Sequence, residues 1–212
     1  MTTQTLPAPA VPRRLRVAES AGYVLTGFPL AVAAFVLMIV GVSVSLGTLV
    51  ITIGFGVLAV TLGIARLFAR IERARMDALF HSRTPRPHYR EPQGGRLGRA
   101  LSAGADPRRW LDLLHGIIAF PIAVATFVVV VAWFAAAVSG IGAVFWEWSI
   151  PRGDDNHSLA YFLGLGDGRA ADTLLMTGLG VLFALTFPFV VRGCAALQAG
   201  VAWALLADHG ED

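Results

Sequence analysis

Three stretches of the chain contain no charged residue: Ser20 to Ala65 (46 residues), Gly116 to Trp146 (31) and Thr173 to Val191 (19). A bilayer hydrocarbon core of about 30 Å takes about 20 helical residues to cross. The first stretch is long enough for two crossings and the others for one each. The pattern predicts an all-α integral membrane protein with four transmembrane helices, at about 21–42, 47–68, 116–146 and 173–191. A signal peptide does not explain the first stretch. Its apolar run continues through Ala65, well past the 7–15 residues of a signal h-region.

Within the first and second stretches one phrase recurs. Residues 27–36 read GFPLAVAAFV and residues 119–128 read AFPIAVATFV, with seven of ten positions identical. Each phrase follows an Arg-Arg pair, in PRRL (12–15) and PRRW (107–110). The return spans also match, Gly54-Phe-Gly-Val-Leu58 against Gly178-Leu-Gly-Val-Leu182. The chain thus reads as two duplicated hairpins. Both enter the membrane from the same side, which makes the duplication parallel rather than inverted.

The charged residues set the expected orientation. All 17 basic residues are Arg. Three precede Ser20, eleven lie between Arg66 and Asp112, two between Glu147 and Asp172, and one at Arg192. Short Arg-rich loops stay cytoplasmic, which places the 1–20 tail (read as disordered), the 69–112 loop and the 208–212 tail inside. The 147–172 loop then faces outward. The cytoplasmic stretch LFARIERARMDALF (67–80) puts Leu67, Phe68, Ile71, Ala74, Ala78 and Leu79 on one helical face, with Arg70, Arg73 and Asp77 opposite. Such a helix is expected to continue span two along the membrane surface. Asp106-Pro107 is a helix start, a cap followed by a first-turn proline.

Composition changes this picture little. The chain is 56% hydrophobic and 15% charged, against about a quarter charged in soluble domains. A single cysteine, Cys194, excludes an internal disulfide and any Cys-cluster metal or redox site.

Candidate chemistry is sparse. No ionisable residue falls at a span centre, which argues against ion-coupled transport or voltage sensing. No G-x-S-x-G, H-E-x-x-H or Walker sequence occurs, so no catalytic residue, metal or cofactor is expected. The outer loop is the candidate ligand-sensing element. Trp146, Glu147 and Trp148 sit at its membrane edge, and Asp154, Asp155 and His157 lie within it. Pro29, Pro121 and Pro188 free the carbonyls of Leu25, Ile117 and Ala184 and are candidate helix hinges. Glycines 41, 47, 54, 56, 178 and 180 are expected to pack helices closely.

Tyr23-x3-Gly27-Phe-Pro29, the Gly-rich second span and the Ala/Arg-rich exit helix resemble the opening hairpin of the sensor domain of actinobacterial two-component histidine kinases. RRWLDLLHGIIAFPIAVATFVVVVAWFAAAV with Trp146, Trp148 and Pro151 is similar to its second half, so the resemblance covers about residues 18–207. It implies a four-span input module of the cell membrane that perceives a membrane or envelope condition. In such kinases the fourth span leads into a dimerising helix with a phospho-accepting His. Here DHGED, holding His209, does not match that box. The expected protein is a non-enzymatic sensor without its own kinase. Its expected partners are the lipid bilayer, a second copy, and a histidine kinase or response regulator, with no nucleic acid. The alternatives are an accessory subunit of an exporter or envelope complex, and a lipid-modifying enzyme with polar residues converging at one interface.

Overall fold

A backbone in hydrocarbon must satisfy its own hydrogen bonds, and the apolar stretches do so as helices. The computed structural model describes residues 16–48, 53–80, 106–149, 159–164 and 168–206. The long helices are α1 (Val17–Gly47), α2 (Ile53–Phe80), α3 (Pro107–Trp146) and α5 (Arg169–Leu206), while α4 (Leu159–Phe162) is one turn. All four long helices are apolar enough to cross a membrane. As the sequence predicts, the Asp106 side chain caps α3, accepting from the Arg108 N–H at 3.1 Å with Pro107 in the first turn. Hydroxyls along the spans are satisfied locally. Thr26, Ser45, Thr61, Thr126 and Thr186 each donate to the carbonyl four residues earlier.

The helices outrun the expected spans, and α2 shows why. Its exit segment does not turn away as a surface helix but stays in the bundle. There Ala69 and Met76 pack with Ala202 and Leu206 of α5. The expected faces are therefore corrected. Leu67, Ala74 and Ala78 are exposed, whereas Ala65, Ala69, Arg73, Met76 and Leu79 are buried. The buried face follows α5, and Arg73, expected on the polar side, belongs to it because it finds partners there.

Each hairpin closes at small residues. In the first, Gly41 faces Thr61, and in the second Gly140 faces Gly180. A Cβ on Gly140 would lie 2.6 Å from the Gly180 Cα, a backbone approach that only glycine allows. Trp133 Nε1 donates to Thr186 Oγ1 at 3.0 Å across the same pair. Of the six glycines expected to pack, Gly41 and Gly180 do so, while Gly47, Gly56 and Gly178 have nothing within 4 Å of a built Cβ.

Between hairpins, α1 packs on α3 through the repeated phrases. Phe28 stacks on Phe127 and Phe35 on Phe120, each pair with ring centroids 4.4 Å apart. The repeat equates Phe28 with Phe120 and Phe35 with Phe127, so exchanging the phrases turns one pair into the other. This is a local two-fold relation. Further along, Met38 lies against Gly116. Rising α1 numbers meet falling α3 numbers, and the two helices pack in the antiparallel sense. The phrases thus do not meet residue for residue in one direction. Stacking the first aromatic of each phrase on the second of the other requires the reversed direction.

Candidate functional site

The expected outer site is only partly within the described residues. Asp154, Asp155 and His157 lie outside them. Glu147 opens a 3₁₀ turn, Glu147–Ser149, directly after α3. Trp148 donates its indole N–H to the Phe145 carbonyl at 2.7 Å, and Arg169 donates to the Trp148 carbonyl at 3.0 Å. Both Trp146 and Trp148 are exposed, and no residue of the turn is buried. This is an aromatic edge clasped by an Arg. Pro29, Pro121 and Pro188 each lie inside an unbroken helix.

A different set of residues converges where the start of α1, the end of α2, the start of α3 and the end of α5 meet. Tyr23 donates its hydroxyl to the Glu72 carboxylate. Arg75 Nη1 pairs with Glu72 Oε2 at 2.5 Å, and its Nη2 donates to the Tyr23 carbonyl at 2.5 Å. The Arg75 guanidinium also stands over the Tyr23 ring, 4.5 Å from its centroid. Gly27 makes room for this head group, since a Cβ there would meet Arg75 Nη2 and Gln198 Oε1 at 3.0 Å. Gln198 in turn donates to Thr126 Oγ1.

Beside it, Arg73 Nη2 pairs with Asp112 Oδ1 at 2.9 Å, their side chains 9% and 2% exposed. The same guanidinium donates through Nε to the Leu206 carbonyl at 3.3 Å. Arg73 therefore joins α2 to α3 and to the last turn of α5. Removing a charge from water costs several kcal/mol, offset only by close pairing. These partners are consequently held together or separated at considerable cost.

Next to these pairs lies a cavity of about 40 Å³. Its walls are mainly apolar, including Leu30, Ala34, Phe68, Ala119 and Ile122, with Glu72, Arg75, Asp112, His115 and Gln198 as the polar lining. His115 is 7% exposed and its Nδ1 has no hydrogen-bond partner. Among the described residues no group of three or more His, Cys, Asp or Glu is placed to hold a metal. Both carboxylates that line the cavity, Glu72 and Asp112, are engaged in ion pairs.

None of these residues stood out as a site in the sequence. Arg73 and Arg75 read as orientation signals, and Asp112 and His115 as span ends. The available signal was Thr126 and Gln198, polar residues within apolar helical runs, which in a membrane protein need partners across the bundle.

No curated protein and no solved structure matches the chain. A family model described as "Putative sensor" matches residues 23–206. That interval runs from the tyrosine of the buried network to the carbonyl that receives Arg73, and the chain belongs to this sensor family.

Proposed function

We propose that this multi-pass protein is a signal-input module of the cell membrane that passes a conformational change to a partner. The observation carrying this proposal is the Arg73 hub. One buried guanidinium ties α2, α3 and the last carbonyl of α5 together. A shift of either hairpin that parts Arg73 from Asp112 also releases the end of α5. In the kinases that the chain resembles, the fourth span leads on to the output. The partner is a second copy of the chain, a histidine kinase or a response regulator. The module itself is non-enzymatic and works within the lipid bilayer.

The Arg distribution supports cytoplasmic termini, and the convergence of four helix ends on one polar network supports a common side for those ends. A reporter fused after Gly210 and another inserted near Asp155 should then report opposite sides of the membrane. Both on one side would overturn this topology, because the last long helix, Arg169–Leu206, alone separates the two positions. Affinity purification of the full chain from its native membrane should bring down a kinase or response regulator. Recovery of a transporter ATPase instead would replace the sensing role with an accessory one.

A further inference from the structure

The exposed apolar face of the second hairpin does not stop where its spans stop. On α3, Phe134, Val138, Ile141, Phe145 and Trp148 follow one another at steps of four and three residues, which makes them one helical stripe. All five are exposed, and the last two most, at 80% and 71%. Trp148 carries the stripe past the end of α3 into the Glu147–Ser149 turn. The one-turn helix α4 adds to the same kind of surface. Its Ala160 is wholly buried and donates its N–H to Asp172 Oδ1 at 3.4 Å. Gly164, at φ 72°, closes the turn. Between these two points Tyr161, Phe162 and Leu163 stand exposed, Phe162 by 73%. A turn facing water would not present such a set, and an apolar patch of this kind marks a contact.

We propose that α4 and the Trp146–Trp148 edge form one aromatic shelf seated in the boundary between phospholipid headgroups and acyl chains, so that the ligand of this loop is the lipid surface itself. Continuity selects lipid as the occupant. The stripe that ends in Trp148 begins within a helix long and apolar enough to cross a membrane. Indole and phenol rings are the side chains that settle at this depth, with Glu147 and Arg169 beside them at the span ends. The Trp148 N–H is already donated to the Phe145 carbonyl, so the ring enters the boundary without an unmet donor. Both parts of the shelf are fastened to the first turn of α5, Trp148 through Arg169 and α4 through Asp172. Asp172 lies about two helical turns from Gly180, where α5 crosses α3. A change in lipid packing that moves the shelf therefore pulls on that crossing. This consequence rests on the sensor function, but the seating of the shelf does not.

The test is electron paramagnetic resonance of the full chain in phosphatidylcholine nanodiscs. Cys194→Ala removes the native thiol, and a single spin label is placed at Phe162→Cys or, in a second sample, at Leu163→Cys. Collision with oxygen, which concentrates in hydrocarbon, is compared with collision with a water-soluble nickel chelate. At both positions the oxygen-to-nickel ratio should lie above that of a headgroup-labelled phospholipid. It should lie below that of a label at Leu182→Cys, an exposed position within the span of α5. A ratio at or below the headgroup value puts the turn in water and overturns the proposal. Weak collision with both reagents also overturns it, because protein then covers the turn; dipolar broadening between labels would identify that protein as a second copy. Labels seated in lipid, in a chain that brings down no kinase or regulator, would remove the sensing role and leave the shelf standing. Labels in water, in a chain that does bring one down, would sink the shelf and leave the sensing role.

Discussion

Arg73 is the residue on which most elements depend. A helix-period reading puts it on a polar face, because the period alone cannot tell whether a second helix will cover that face. The cover is α5, and the compensation is Asp112, 39 positions away in sequence and 2.9 Å away in space. Asp112→Ala takes the paired carboxylate from a buried guanidinium, and the loss of stability should be about 3–5 kcal/mol. Arg73→Met combined with Asp112→Leu removes both charges, and should return the protein to within about 1 kcal/mol of wild type or above it. Unfolding in mixed micelles of increasing SDS content, followed by circular dichroism, measures both. A single variant within error of wild type would mean that the pair is not stabilised by burial. The double variant carries a second consequence: a folded protein that no longer regulates its partner would mark the pair as a transmission element, not only a fastening. The legible part at this scale was the helix start at Asp106. Its cap is local chemistry, three consecutive positions that need no distant partner.

At the scale of the helix, spans were readable and faces were not. Long charge-free runs dictate helices in a bilayer whatever they touch, so four were evident from the sequence. Which glycines carry a close crossing depends on where the neighbour lies. The matching GxGVL strings of α2 and α5 look equivalent, yet within the second only Gly180 meets backbone, at Gly140, while Gly178 opens onto free space. Gly180→Ala should therefore push α3 and α5 apart and cost about 1–3 kcal/mol, the range for an overpacked contact. Gly178→Ala, two residues away, should be neutral or stabilise by up to about 1 kcal/mol through helix propensity. The same micelle titration compares them, and equal effects would contradict the crossing. The two substitutions lie two positions apart on one helix, so composition and hydropathy are held constant. Only the neighbour changes.

For the whole molecule, the unresolved matter is how one duplicated phrase meets the other. Sequence identity shows that GFPLAVAAFV and AFPIAVATFV are equivalent, but equivalence is compatible with either direction. The phenylalanine stacks distinguish them, because Phe28 rests on Phe127 rather than on its counterpart Phe120. Cysteine pairs can report this sense directly, in a chain with Cys194→Ala so that no native thiol competes. A disulfide needs Cα atoms within about 7 Å, so cross-linking efficiency should rank the pairs that face each other above those that do not. Phe28→Cys with Phe127→Cys, and Phe35→Cys with Phe120→Cys, should cross-link in membranes under mild oxidant. The counterpart pair, Phe28→Cys with Phe120→Cys, should not. A reversed result would mean that the two phrases meet in the same direction. Electrophoresis without reductant adds a further distinction. A band of monomer mobility places both phrases of each stack in one chain, whereas a cross-linked dimer means that the hairpins are exchanged between two copies. In the second case the Arg73 hub and the cavity beside it would each be built at a subunit junction, and association would itself be part of the switch.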